Sequence, residues 1–223
     1  MPASWPIWLA RKSKRNAGTR RAGRSRRMLG TMTPDGGVRF GLPPFHVARP
    51  RLVAELLGSS LAVVEAAAGY GKSVLASEYR DALAIACASV PLGPPDDDAA
   101  VLVSSLTRSF RSANLSDLAS VLAVTEPAEW AERFLDALSV LEQPLLVVLD
   151  DAHSLVSDQA AAVVLRLASG VAAPHRMLVT ARALPPSLEP IRDVLGAASI
   201  ALLTWPLTLM KRASWRPRSW AAR

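Results

Sequence analysis

The stretch Val63–Tyr79, VVEAAAGYGKSVLASEY, constrains this chain more tightly than any other. A short apolar run, Leu61–Glu65 (LAVVE), meets a loop of small residues, which passes through Gly-Lys-Ser into a helical pattern, KSVLASEYRDAL. Short apolar runs that do not alternate read as strands buried on both faces. A strand that turns tightly into a helix aims successive backbone N–H groups inward, and the helix adds the positive end of its dipole. Such a junction can cradle an anion. Lys72 stands in it, the only lysine between Lys14 and Lys211.

Ala66-Ala67-Ala68-Gly69-Tyr70-Gly71-Lys72-Ser73 fits the phosphate-loop (Walker A) pattern, with alanine where the first glycine is usual. Gly69 and Gly71 permit the backbone angles that the loop needs. The expected nucleotide-binding segment is Ala68, Gly69, Tyr70, Gly71, Lys72, Ser73 and Val74, with Lys72 reaching the β- and γ-phosphates and the Ser73 hydroxyl ligating Mg²⁺. The plainer alternative is a glycine-rich connector carrying a solvated lysine.

Two further strand ends belong with this loop. In QPLLVVLDDAH, four apolar residues, Leu146–Leu149, lead straight into Asp150 and Asp151. Carboxylates ending a strand beside a phosphate loop can hold Mg²⁺ through water (Asp150) and orient or deprotonate an attacking water (Asp151); alone, they could equally cap the next helix. In HRMLVTAR, Thr180 and Arg182 end the strand where they could sense a γ-phosphate, against the alternative of an exposed structural arginine. His153 reads as a loop histidine with local hydrogen bonds, and His46 and His175 as surface residues. No His/Cys cluster suggests zinc, and no Gly-X-Ser-X-Gly elbow suggests a serine hydrolase.

The remaining pattern alternates helices with strands. Arg49–Gly58 places Leu52, Leu56 and Leu57 at helical spacing with Gly58 as a stop, and Ala84–Ser89 reads as a second strand. PLGPP reads as a loop before an acid-started helix, DDDAAVLVSSLTRSF, and Glu126–Leu141 is amphipathic through Trp130, Phe134, Leu135 and Leu138. SDQAAAVVLRLASG is a helix with a Ser157 cap and a Gly170 stop, and Leu195–Leu203 reads as a fifth strand. Strands and helices in this order predict a parallel sheet with helices on both faces. A rival threading of LVAELLGSSLAVVEAA onto a helix-turn-helix would use up the strand before the loop, and its reading helix offers no Arg, Asn, Gln or Lys to a base edge.

Charge is unevenly distributed. Residues 1–34 hold nine Lys/Arg and 204–223 hold five, neither with an acid, whereas 35–203 carry 12 basic against 19 acidic residues. The pI near 10.5 therefore belongs to the ends, and polyanion binding through basic arms is a secondary expectation. Cys87 is the only cysteine. It excludes an internal disulfide, reads as a buried small hydrophobe and suits a reducing, cytoplasmic compartment. No run of about 18 apolar residues predicts a membrane span. The apolar patch SWPIWLA precedes the basic residues, the reverse of a signal peptide; the residues after SRRML lack the apolar segment of a twin-arginine signal; and Pro6 and glycines spoil the amphipathic helix of a transit peptide. Met28 and Met32 are alternative starts.

RPRLVAELL, VVEAAAGYGKSVLASEY, PLLVVLDDAHSL and HRMLVTARALPPSLEPIR together resemble the nucleotide-binding domain of the signal-transduction ATPases with numerous domains (STAND class) related to the maltose regulator MalT. These are large ATP-binding transcription regulators whose C-terminus carries a LuxR-type helix-turn-helix. The resemblance implies an α/β P-loop NTPase three-layer sandwich with a mostly parallel central sheet over residues 43–203, between a basic arm (1–42) and a basic, Trp-rich tail (204–223). It implies slow Mg²⁺-dependent ATP hydrolysis used as a switch, with self-association in the ATP state. It gives Asp150 to the metal, Asp151 to water, Arg182 to the arginine after the fourth strand, and Val47–Arg51 to the stretch against the adenine. Winged-helix, sensor and DNA-binding domains would come next; here TWPLTLMKRASWRPRSWAAR takes their place, which reads as a shifted frame or truncated gene. No direct sequence-specific DNA contact is expected of this chain, and a truncated remnant that binds nucleotide without signalling is the alternative.

Overall fold

The computed structural model describes residues 47–123, 126–194 and 197–201. The expected arm 1–42, the tail 204–223 and His46 lie outside the described residues. In chain order the elements are α1 (Pro50–Leu57), β1 (Leu61–Glu65), α2 (Lys72–Leu83), β2 (Ala86–Pro91), α3 (Ala99–Ser112), α4 (Ser116–Val121), α5 (Pro127–Val140), β3 (Leu145–Asp150), α6 (Asp158–Gly170), β4 (Arg176–Ala181) and β5 (Ala197–Ala201). Short 3₁₀ turns cover Pro94–Asp97, Ala152–Ser154 and Pro186–Asp193. The five strands form one parallel sheet in the order β2-β3-β4-β1-β5. No helix of the described residues is long and apolar enough to cross a membrane.

The apolar runs make this sheet because both its faces are covered. Leu61 and Val63 of β1, Leu145, Val147 and Leu149 of β3, and Met177 and Val179 of β4 point into one core with α3, α5 and α6. The intervening Ala62, Val64, Leu146, Val148 and Leu178 point into a second core with Leu56 of α1 and Leu75 and Tyr79 of α2. The period-2 geometry of a strand thus sorts one continuous hydrophobic run between two helical layers. In the larger core Trp130 stacks on Phe134 with centroids 5.4 Å apart, and Phe110 on Phe134 at 5.3 Å. Each such pair contributes about 0.5–1.5 kcal/mol beyond its buried area. The Trp130 indole N–H is satisfied by Thr107 Oγ1 at 2.9 Å. The strand at Leu61–Glu65 also excludes the helix-turn-helix threading.

Several boundaries shift for local reasons. β2 begins two residues late because Ala84, at φ 52°, closes α2 with its N–H on the Arg80 carbonyl. It then runs to Pro91, which an edge strand tolerates. The three aspartates do not all serve the α3 dipole. Asp98 caps α3, accepting from the Ala100 and Val101 amides; Asp96 accepts the Gly93 amide and the Ser105 hydroxyl; Asp97 accepts the Ser157 amide. Ser157 caps α6 as expected, and Gly170 is the last residue of that helix, with Val171 as its cap. His175 is buried, not at the surface: the residue is 7 % exposed, close to the Leu138 backbone near the end of α5.

Candidate functional site

The junction predicted to hold an anion lies at the C-terminal end of the sheet, between β1 and α2. Gly69 and Gly71 take φ of 84° and 76°, left-handed angles that other residues adopt only at a cost of about 1–2 kcal/mol. α2 starts at Lys72, so its unpaired first-turn amides face the loop. Lys72 is buried, and its Nζ donates to the Ala66 carbonyl at 2.9 Å, tying the ammonium across the start of the loop.

β4 lies between β1 and β3, so the aspartates approach the loop across an intervening strand. Ser73 Oγ donates to Asp150 Oδ2 at 3.0 Å. Thr180, fully buried on β4, donates to Asp150 Oδ1, and its hydroxyl also accepts the Asp151 amide at 3.3 Å. Both oxygens of the Asp150 carboxylate are therefore held by hydroxyl groups. Thr180, offered by the sequence as a phosphate sensor, bonds Asp150 and orients that carboxylate.

Asp151 follows at φ 62°, half-exposed, with its Oδ1 3.6 Å from His153 Nδ1. A cavity of about 320 Å³ is lined by Ala68, Gly69, Gly71, Lys72, Ser73, Val74, Asp151 and Arg182. That volume falls within the range of about 300–1,000 Å³ for small-molecule sites. Arg182 is exposed and makes no ion pair among the described residues. Tyr70, expected to contribute to the site, has its side chain 40 % exposed and does not line the cavity. Asp150 borders a small adjoining space of about 30 Å³ with Ser73, Arg80, Cys87 and Ser89. Cys87 is half-buried, and burial pushes its thiol up to about 11.

The donors suit a magnesium ion, a hard cation that takes one or two protein oxygens and completes its shell with phosphate and water. Ser73 Oγ and Asp150 supply such oxygens side by side, and among the described residues no cluster of three His, Cys, Asp or Glu competes as a metal site.

Four contacts escaped the sequence. Glu65, the last residue of β1, accepts the Leu184 amide at 2.8 Å and Arg192 Nη2 at 2.6 Å, fastening the segment after β4 to the strand that feeds the loop. Arg49, ahead of α1, donates from Nη2 to the Gly71 carbonyl at 2.9 Å and lies 3.6 Å from Glu78 of α2. Glu78 did leave a signal: a carboxylate on the same apolar stripe as Leu75 and Tyr79 needs a partner once buried.

The sequence matches no protein-family model and no curated protein. Similar folds occur among solved structures. The signal transduction ATPase with numerous domains that carries a tetratricopeptide repeat sensor, from Pyrococcus horikoshii, aligns with a TM-score of 0.56 and 15 % identity, over 79 % of this chain and 27 % of that one. This chain has a P-loop NTPase-like fold. Looser likenesses are Drosophila ORC bound to AT-rich DNA and Cdc6 (TM-score 0.49, 14 % identity, 72 % of this chain, 56 % of that one) and the Aeropyrum pernix ORC1 protein in complex with DNA (0.47, 17 %, 68 % and 43 %). The chain spans between about a quarter and somewhat over half the length of these three.

Proposed function

We propose that this chain is an ATP-binding, weakly hydrolysing switch domain of a signal-transduction regulator of transcription, of the MalT-like, LuxR-associated type. The observation that carries the reading is the joining, around one cavity, of the left-handed glycine loop, Lys72 at a helix start, and Asp151 and Arg182 from the ends of two other strands. The signal transduction ATPase from Pyrococcus horikoshii, alike in fold, supports the class.

On this reading the amides from Ala68 to Val74 bind the phosphates, and Lys72 exchanges the Ala66 carbonyl for phosphate oxygens. Ser73 and Asp150 hold Mg²⁺, Asp150 through water. The bound ion would neutralise charge developing on the phosphates. Asp151 orients the attacking water, its half-exposed carboxylate being open to solvent, and Arg182 meets the terminal phosphate. His153 stands close enough to Asp151 to tune its orientation. Self-association in the ATP state and a cytoplasmic setting complete the proposal. Sequence-specific DNA contact is left to other domains.

Titration of the purified chain with ATP and Mg²⁺, with Lys72→Ala as control, tests this. Binding and slow turnover that both depend on Lys72 are the expected result. Binding without turnover favours the non-catalytic remnant. Absence of nucleotide binding, with salt-sensitive nucleic-acid binding lost on removal of residues 1–34, would refute the proposal in favour of polyanion binding.

A further inference from the structure

The Arg49 guanidinium lies against the outside of the phosphate loop. Its Nη2 donates to the Gly71 carbonyl at 2.9 Å, and Nη1 approaches the Tyr70 carbonyl at 3.5 Å. The Gly71 carbonyl also accepts the Leu75 amide at 2.9 Å, so the helix already fixes that peptide. The Tyr70 carbonyl has no other hydrogen-bond donor among the described residues. Arg49 thus ties the Tyr70 peptide of the loop to the Gly71 carbonyl, the first that accepts a bond from α2.

A trans peptide is planar, with its C=O and N–H pointing in opposite directions. Drawing the Tyr70 and Gly71 carbonyls outward onto a cation turns the Gly71 and Lys72 amides the other way, towards the cavity that Gly71 and Lys72 line. Glycine at 71 serves this twice. It takes the left-handed angle, and it leaves room for the arginine, since a Cβ there would lie 3.2 Å from Arg49 Nη1. The guanidinium is itself held: the side chain is 8 % exposed, and Glu78 Oε2 accepts the Arg49 amide at 3.2 Å and faces Nε at 3.6 Å. A planar fork can bridge two carbonyls, which a lysine ammonium does less well.

From this geometry we infer that Arg49 is a positioning residue for the phosphate-binding amides, acting on the polyphosphate through the loop and not on the base. The inference rests on the nucleotide-binding reading above. It differs from the adenine contact that the resemblance gives to the segment Val47–Arg51.

The test compares wild type, Arg49→Ala, Arg49→Lys and Glu78→Gln in the full chain. Each is titrated with ATP, ADP and inorganic tripolyphosphate in competition with a fluorescent nucleotide, and its unliganded melting is recorded. Arg49→Ala is expected to weaken all three ligands by a similar factor, about tenfold or more for loss of a charged hydrogen-bonding group. Arg49→Lys should restore only part of that loss. A loss for ATP and ADP with tripolyphosphate unchanged would overturn the inference in favour of a base contact, and unchanged binding of all three would remove any role. If Arg49→Ala fails to fold, Arg49→Lys and Glu78→Gln decide, through the same equal loss across the three ligands. Wild type binding none of them overturns the nucleotide reading and this inference with it; wild type binding while the Arg49 variants bind equally well overturns this inference alone.

Discussion

Replacing Thr180 by valine keeps the size of a fully buried side chain and deletes one hydroxyl. That hydroxyl donates to Asp150 Oδ1 and accepts the Asp151 amide at 3.3 Å. A hydrogen bond to a charged group contributes about 1.5–3 kcal/mol, and here the carboxylate left behind is only 8 % exposed, so water replaces the lost donor poorly. The long bond from Asp151 adds little, and the new methyl recovers some apolar burial. The net loss is about 2 kcal/mol. For a chain of this size each kcal/mol moves the melting midpoint by about 2–4 °C, so Thr180→Val should melt about 4–8 °C below wild type without nucleotide. A double-mutant cycle with Asp150→Ala isolates the pair, and its coupling energy should exceed about 1 kcal/mol. Melting within a degree of wild type, or a coupling below about 0.5 kcal/mol, would refute the idea that Thr180 holds Asp150 in place.

Two smaller predictions concern the loop and the core. Gly69→Ala and Gly71→Ala both incur the left-handed backbone cost, but a Cβ at Gly69 meets nothing within 4 Å while one at Gly71 presses on Arg49; urea unfolding should find Gly71→Ala the less stable, and equal midpoints would count against the Arg49 contact. Burial holds the His175 imidazole below its usual 6.5. Native and unfolded chains are both neutral there at pH 8, so its contribution is complete. As pH falls below about 6.5 the unfolded chain binds a proton that the native ring resists, and stability is lost down to the folded value. The urea midpoint of wild type should therefore drop more steeply from pH 8 to 5 than that of His175→Gln; parallel curves would exclude His175 as the cause.

The sheet was legible because its strands are buried on both faces. Continuous apolar runs such as Leu146–Leu149 have few other uses in a chain that alternates them with amphipathic helices. The helix cap Ser157 was legible for a similar reason: its side-chain oxygen satisfies an amide within its own segment. Strand order was not, since nothing in HRMLVTAR says that it pairs between LAVVE and LLVVLD. That unknown is why the bond from Thr180 to Asp150 was hidden: only the insertion of β4 beside β3 brings its hydroxyl there. α4 escaped because its six residues start without a side-chain cap. His175 was misjudged because its burial depends on the distant end of α5, 37 residues earlier at Leu138. Arg49 and Glu78 failed to announce themselves as a pair for the same reason, being 29 positions apart.

The two oxygens of Glu65 give the cavity an unusual economy of parts. One carboxylate, on the last residue before the glycine loop, grips both ends of the stretch from Leu184 to Arg192, just beyond Arg182. The rim on that side is therefore fastened to the floor at two points. The segment just beyond Arg182 and the strand that feeds the glycines thus share one carboxylate as a common anchor.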